Sequence, residues 1–359
     1  MDLLAKLCNA PGVSGFEGEA QDIAYKELQA CTDKVWRDRL GNVIAVKYAT
    51  SGRRIQEADG SERAIRLLYS AHIDEIGMMV SHIDDEGFLR FRAIGGLDPR
   101  TLVSERVVIH ASRAKPQKLK GVIAPQSGWL GSPEDRQRVF PISDLYIDLA
   151  LPSAKVHEAI EVGDVITLAA EFSPLNDQVV MGRNFDDRMG VYCLIEAMKR
   201  LDKPDVDVYA VSSVQEEVGV RGIPTAANVI APDIAVAIDG SLPSDTPYAR
   251  SEERQCKLGG GTGIYLMDNR TISNPQLLRG LFATCEKHGI AYQRNLGGGT
   301  DASEIQRRGL GALATTIGAP TRYMHSTVQL CHLDDIEATI RLLSTFPNEA
   351  AHILPSDWI

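Results

Sequence analysis

Five short segments of this 359-residue chain place ionisable side chains directly after a stretch that reads as a strand. In an open α/β sheet, ligands collect beyond the carboxyl ends of the strands, so these groups are expected to meet in one cleft. Imidazole nitrogen and carboxylate oxygen, without thiolate, suit zinc, cobalt or manganese. The sequence therefore predicts a metal site, and its candidate residues are His72 with Asp74, Asp186 with Asp187, Glu216 with Glu217, Asp239, and His325.

Each of these segments, taken alone, also has an ordinary structural explanation. His72-Ile73-Asp74 fits a surface turn, an Asp at the start of a helix is a common cap, and adjacent glutamates can simply be solvated. In an extended segment, however, alternation points His72 and Asp74 to the same side, so the carboxylate can hold the imidazole in the tautomer that a metal requires. The metal site is favoured because all five segments are predicted to end strands of one sheet.

The charges of the candidate ligands favour two ions over one. Asp186, Glu217 and Asp239 together carry a charge of −3. Two divalent ions contribute +4, and a single hydroxide brings the sum to zero. One ion would leave the cluster too acidic, so we expect two.

The elements that must position these residues alternate between strand and helix at both ends of the chain, with a polar loop expected at residues 50–62. From residue 76 to about 172 the pattern changes to short β-like runs separated by turn signals, which is typical of a small β domain. We therefore expect an α/β domain formed by residues 1–75 and 176–359, with a β-rich domain, residues 76–175, inserted in it. The main α/β predictions are strands at 42–47, 65–70, 206–214, 233–238 and 311–317 and helices at 17–29, 188–201 and 276–288.

The composition excludes several classes of function. The chain has 38 Lys and Arg against 48 Asp and Glu, a net charge of −10, whereas a protein that follows a phosphate backbone needs a basic stripe. No run of about 18 apolar residues predicts a membrane span, and no signal peptide is expected. The six cysteines lie far apart without a C-x-x-C pair, which indicates reduced thiols in a cytoplasmic protein.

Motifs spread over nearly the whole chain occur in an order that resembles one known family. They lie at residues 10–17, 41–42, 70–77, 185–188, 215–222, 297–302 and 320–326. On these motifs the chain is identified as a member of the cytosolic two-metal aminopeptidases, which include glutamyl aminopeptidase, the tetrahedral aminopeptidases and cellulase M-like metallopeptidases. The resemblance implies an α/β fold with a mixed sheet flanked by helices, as in di-zinc exopeptidases, and an inserted, mainly β dimerisation domain.

The same resemblance implies a role for each candidate residue. One metal would be bound by His72, Asp186 and Asp239, and the other by Asp186, Glu217 and His325, with Asp186 shared. Asp74 would support His72, Glu216 would be the general base, and the peptide bond between Asp186 and Asp187 would be cis. Two divalent ions per subunit are expected, with zinc favoured and cobalt or manganese as alternatives.

The function expected on these grounds is removal of the N-terminal residue of short peptides. The alternatives are a two-metal amidohydrolase that removes the acyl group of N-acyl amino acids, and a non-catalytic binding or assembly protein that kept the fold. By resemblance the chain forms a homo-oligomer, based on a dimer and extending in many relatives to twelve subunits. The sequence leaves the preferred N-terminal residue open.

Three other motifs need a separate interpretation. His82 and Asp84 repeat the His-x-Asp spacing, but Glu86-Gly87 follows and predicts a hairpin turn. The glycine run at 259–263 lacks the Lys-Ser/Thr of a phosphate loop and predicts a tight turn. By resemblance, residues 297–301 lie near the substrate, but the sequence assigns no role to Thr300 or Asp301.

Overall fold

A computed structural model describes residues 1–57, 59–114, 118–125, 138–247, 249–250, 252 and 255–354. Its centre is an eight-stranded mixed sheet in the order β1-β2-β14-β5-β15-β18-β16-β17, of which β14, β5, β15 and β18 run parallel. The two parts of the chain on either side of the predicted insertion both supply strands to it. The strands are β1 (Lys34–Arg37), β2 (Val43–Lys47), β5 (Arg66–His72), β14 (Asp207–Ser213), β15 (Ile234–Ile238), β16 (Thr262–Asp268), β17 (Tyr292–Gly297) and β18 (Leu313–Gly318).

Helices cover both faces of this sheet. Side chains alternate along β5: Leu67 and Tyr69 belong to the larger apolar core, and Leu68 belongs to a separate core that includes residues of α5 and α7. This confirms the predicted mixed sheet flanked by helices. The helices are α1 (Asp2–Asn9), α2 (Gly18–Gln29), α4 (Phe185–Arg200), α5 (Ile223–Ile230), α6 (Pro275–His288), α7 (Ala302–Ile305), α8 (Leu333–Thr345) and α9 (Pro347–Ala350).

The inserted segment forms a closed barrel with its own core. Its strands are joined in the order β10-β7-β6-β11-β8-β9, and β9 pairs with β10 to close the ring. Alternate side chains such as Met78, Val80 and Ile109 are fully buried inside it. The predicted β-rich insertion is thereby confirmed, whereas the boundaries 76 and 175 remain predictions. The elements are β6 (Gly77–Ile83), β7 (Leu89–Ile94), β8 (Arg106–His110), β9 (Lys118–Pro125), β10 (Leu145–Asp148), α3 (Ser153–Ala159) and β11 (Val165–Leu168), with single 3₁₀ turns at Pro99–Thr101 and Ile142–Asp144.

Two expectations about strands were wrong. The stretch 50–62, expected to be a loop, contains β3 (Arg54–Gln56) and the start of β4 (Glu62–Ala64), which pair as a hairpin. The strand before Asp186 does not belong to the large sheet, whereas the strand predicted at 311–317, before His325, does belong to it, as β18. A separate four-stranded sheet in the order β12-β13-β20-β19 contains the strand before Asp186 and the two short strands on either side of His325. Its strands are β12 (Ser173–Pro174), β13 (Val179–Gly182), β19 (Thr321–Arg322) and β20 (Gln329–His332).

Within the described part of the chain, no helix combines the length and the hydropathy needed to cross a bilayer.

A buried ionic network holds the end of β5 against the start of α4. The Glu75 carboxylate accepts hydrogen bonds from Arg183 Nε at 2.8 Å, from the Asn184 side chain at 2.9 Å and from the Gly12 backbone N–H at 3.1 Å. The guanidinium of Arg188 lies 3.5 Å away. Burial raises the pKa of Glu75, but the charges of Arg183 and Arg188 outweigh it, so the net shift is downward. Glu75 is therefore the counter-charge of two buried arginines.

Replacing Glu75 by glutamine should destabilise the fold by about 3 kcal/mol, because it leaves two buried guanidinium groups without a counter-charge. Urea unfolding measures this loss. Glu337→Gln is the matched control, since Glu337 forms an exposed pair with Arg200 and should cost less than about 1 kcal/mol. Equal stability losses in the two variants would contradict the role given to Glu75.

Candidate metal centre

The five predicted ligands line one cavity of about 380 Å³ together with Glu216. Three come from carboxyl ends in the large sheet: His72 ends β5, Glu217 follows β14, and Asp239 follows β15. Asp186 lies at the start of α4 and His325 follows β19, so the small sheet supplies the other two. The peptide bond between Asp186 and Asp187 is cis, as expected.

The ligand atoms fall into two groups that share Asp186. In the first group, His72, Asp186 and Asp239 each offer an atom within 4.8 Å of the others, and Asp186, Glu217 and His325 do so in the second. Oδ1 of Asp186 lies 3.0 Å from His72 Nε2, whereas its Oδ2 lies 3.3 Å from His325 Nε2. The two oxygens of one carboxylate therefore face two different imidazoles, which is the arrangement that a bridging ligand needs.

Backbone carbonyl groups set the tautomer of both histidines. Nδ1 of His72 lies 3.1 Å from the carbonyl oxygen of Asp74, and Nδ1 of His325 lies 3.1 Å from that of Gly96. A carbonyl oxygen only accepts, so Nδ1 carries the proton and donates it in each ring. Each Nε2 can then present its lone pair to a cation on the carboxylate side.

Gly96 belongs to the loop after β7, so the barrel domain contributes directly to the metal centre. A Cβ atom at position 96 would lie 2.8 Å from His325 Nδ1, closer than side chains approach. Only glycine allows this contact. The sequence around Gly96 gives no sign of this contact, because Gly96 and His325 are more than two hundred positions apart.

The Asp74 carboxylate makes its shortest contacts with groups other than the His72 imidazole. It accepts hydrogen bonds from the backbone N–H groups of Glu216 at 2.9 Å and Glu217 at 3.2 Å, and from Ser14 Oγ at 2.6 Å. Its nearer oxygen lies 3.5 Å from His72 Nδ1, farther than the Asp74 carbonyl oxygen. Asp74 therefore ties the end of β5 to the loop that carries the two glutamates.

Two further residues position Asp186 and His72, and the sequence did not single either out for that task. The carboxylate of Asp187 accepts hydrogen bonds from the backbone N–H groups of His72 at 3.1 Å and Gly190 at 3.0 Å. The Gln329 side chain accepts one from the Asp186 backbone N–H at 2.9 Å. The acidic pair at 186 and 187 was a visible signal for Asp187. Gln329 carries no local signal, because it reaches the centre through the pairing of β13 with β20.

The electrostatics of the centre call for cations. Burial together with the Asp186 carboxylate raises the pKa of Asp239 well above its ordinary value and that of Glu217 to about 8. The hydrogen bond to Asp186 raises the pKa of His325 to about 9. The raised pKa values of Asp239 and Glu217 show that these carboxyl groups resist ionisation beside Asp186 unless positive charge is added. Oxygen and nitrogen ligands in this charge state fit divalent cations.

The glycine-rich segment 297–301 also reaches the site. Thr300 lines the cavity and its hydroxyl forms a 2.7 Å hydrogen bond with that of Thr316. Asp301 is buried behind it and accepts a hydrogen bond from Ser213 Oγ at 2.7 Å. The structure thus brings this segment to the cavity, as the resemblance implied.

The other His-x-Asp motif lies away from the cavity. Asp84 accepts hydrogen bonds from the backbone N–H groups of Glu86 and Phe88 in the turn between β6 and β7, and His82 is exposed. The predicted hairpin turn is confirmed. Among the described residues, the metal-compatible clusters contain only the histidines at positions 72 and 325.

The fold and the site define a mixed-sheet α/β protein that has an inserted β barrel and two groups of possible metal ligands at the carboxyl edge of the sheet. The sequence model of the M42 glutamyl aminopeptidase family matches residues 52–342, so the chain belongs to this family. It is a metallo-aminopeptidase, which confirms the family and the class of enzyme expected from the sequence.

Individual relatives resemble the chain over nearly its full length. The lysyl aminopeptidase of Pyrococcus furiosus is 32% identical over 97% of this chain and 96% of its own. The structure of aminopeptidase APDkam598 from Desulfurococcus kamchatkensis matches with a TM-score of 0.88 and 35% identity, over 97% of this chain and 94% of that one. The TET1 peptidase of Pyrococcus horikoshii, which can assemble into a tetrahedron or a large octahedral shell, matches with a TM-score of 0.82 and 33% identity, over 96% and 98%.

Replacing Asp74 by asparagine should lower aminopeptidase turnover by about 10- to 100-fold, because an amide cannot accept all the hydrogen bonds that order residues 216 and 217. Steady-state kinetics of the folded variant measures the loss. Ser14→Ala is the control, since it removes one hydrogen bond to Asp74 and leaves the two backbone contacts; its loss should be smaller. Unchanged turnover in Asp74→Asn would contradict this positioning role.

Proposed function

We propose that this enzyme removes the N-terminal residue of short peptides with two divalent ions held on either side of Asp186. The observation that carries the proposal is that the two Asp186 oxygens face the imidazoles of His72 and His325 at 3.0 and 3.3 Å. His72, Asp186 and Asp239 would hold one ion, and Asp186, Glu217 and His325 the other. Zinc is the ion we favour, with cobalt and manganese compatible with the same ligands.

Two bound divalent ions lower the pKa of water, polarise a scissile carbonyl and leave room to recognise a free α-amine. The last property explains why cleavage would be restricted to the first residue of a peptide with an unblocked N-terminus.

Glu216 is the residue we assign as general base. It lines the same cavity as the ligands, and its backbone is fixed by Asp74. Burial raises its pKa well above the ordinary value, and the carboxylates of Asp239, Asp301 and Glu217 add to the rise. A carboxylate in this position can take a proton from the attacking water and return it to the departing amine.

Glu216→Gln should lower turnover by about 100- to 10,000-fold while metal content stays that of the wild type, because only proton transfer is removed. Kinetics and elemental analysis of the same preparation test both parts. Glu337→Gln serves as the exposed control and should retain activity. Full activity of Glu216→Gln would refute the assignment.

We further propose that the chain works in the cytoplasm as a homo-oligomer built from dimers through its barrel domain, extending to a dodecamer. The cytoplasmic location is supported by six cysteines that are all unpaired, five of them buried. The assembly is supported by the TET relatives, one a dodecamer and one a tetrahedron or octahedral shell.

Light scattering should give a mass of two or more 39.2 kDa chains, because we expect a second copy of the chain to cover the barrel surface. A mass of one chain at working concentration would contradict the assembly and leave the chemistry of the single site unaffected.

A further inference from the structure

The cavity that holds the predicted ligands has a second wall that takes no part in metal binding. Setting aside the ligands and Glu216, the described lining residues are Gly240, Leu242, Tyr265, Gly298, Gly299, Thr300 and Met324. A substrate whose scissile bond reaches the ligands must place its first side chain against this wall. The wall therefore determines which N-terminal residue is accepted.

The described part of this wall is uncharged, and its two hydroxyl groups are already engaged. The Tyr265 hydroxyl donates to the Gly240 carbonyl oxygen at 2.7 Å. The Thr300 hydroxyl is bonded to Thr316, also at 2.7 Å. What remains for a substrate is the isobutyl group of Leu242, the thioether of Met324, the tyrosine ring and glycine backbone.

Glycines make room beside these apolar groups. A Cβ at position 298 would meet no atom within 4 Å, so open space adjoins Gly298. A Cβ at position 240 would lie 3.0 Å from the sulfur and terminal methyl of Met324, so the thioether packs directly over that backbone. The cavity of about 380 Å³ is of a size that small-molecule sites use.

Charged side chains find no counterpart on this wall. A glutamate carboxylate would lose water without meeting a described lysine or arginine in the lining. Arg270 is not among the lining residues, although its Cγ, Cδ and Nε lie within 4 Å of a Cβ built at Gly299. It is therefore the cation close to the described part of the wall that the variants below must test. A lysine ammonium would need a spare carboxylate, but the acids of the cavity would be committed to two ions and to proton transfer.

Resting on the proposed function, we infer that the pocket selects N-terminal residues with apolar, flexible side chains, such as leucine and methionine. This differs from the glutamate in the description of the family and from the lysine in the name of the Pyrococcus furiosus relative. Leu242 and Met324 are the specificity-determining residues.

The test is a panel of leucyl, methionyl, alanyl, glutamyl and lysyl p-nitroanilides with the full-length enzyme reloaded with metal. We expect kcat/KM for the leucyl and methionyl substrates to exceed that for the glutamyl and lysyl ones by about tenfold or more. A preference for glutamate or lysine would overturn the inference while leaving the proposed function intact. If the wild type prefers glutamate and the Arg270→Met variant loses that preference, the result would show that Arg270 reaches the substrate.

Two variants locate the selectivity. Leu242→Lys should lower the leucyl-to-glutamyl ratio of kcat/KM by about tenfold, and Gly298→Val should favour the alanyl over the leucyl substrate by filling the open space. Leu310→Lys is the matched control, since Leu310 is 97% exposed and distant in the fold, and its ratio should equal that of the wild type. Unchanged ratios in both pocket variants would overturn the placement of the pocket.

N-acetylated forms of the same substrates separate this inference from the function on which it rests. Cleavage of the acetylated forms alone, or of none of the compounds, would refute the aminopeptidase proposal itself. Cleavage of the free forms with a charged preference would refute only the apolar pocket.

Discussion

Repulsion among buried carboxylates is the constraint on which the rest of this structure depends. Asp186, Asp239, Glu216 and Glu217 share one cavity, and Asp74 and Asp187 lie buried directly behind it. Such a cluster is stable only with compensating positive charge, and the two arginines nearby are already paired with Glu75. Protons or divalent cations are the remaining sources, and only the cations leave the carboxylates ionised, so the acidic cavity fits a metal cofactor.

Because the ligands repel one another, the backbone that carries them must be held from several sides. Asp74 joins the end of β5 to the loop after β14, and Asp187 joins β5 to the start of α4. Gln329 fixes Asp186 from the small sheet, and the barrel loop fixes His325 through Gly96. Gln215 and His325 also adopt left-handed backbone conformations, with φ of 56° and 58°. Strained conformations of this kind are common at functional sites. The inserted barrel is therefore part of the site as well as a candidate surface for assembly.

Residue type and strand ends were enough to predict that the candidate ligands lie together, because His72, Glu217 and Asp239 end or follow strands of strong apolar pattern. The helix after Asp187 and the β character of the insertion were predictable for the same local reason. The separate small sheet next to Asp186 and His325 could not be predicted, because β13 pairs with a strand some 150 residues later. Its short strands also show little alternation of apolar and polar residues. The contacts of Gly96, Gln329 and Asp187 likewise depend on tertiary pairing. The residues of the apolar wall are far apart in the sequence, so the substrate preference inferred from that wall rests on the three-dimensional structure.

The central claim is that the clustered carboxylates hold two cations through Asp186. Its most direct test is equilibrium dialysis of the stripped enzyme against zinc, with bound metal measured by elemental analysis. The account predicts two ions per chain in the wild type and loss of both in Asp186→Ala. Asp334→Ala, which removes an exposed carboxylate that lies 3.8 Å from His332 outside the cavity, should still bind two. Full activity with a single bound ion, or two ions retained without the Asp186 carboxylate, would contradict it.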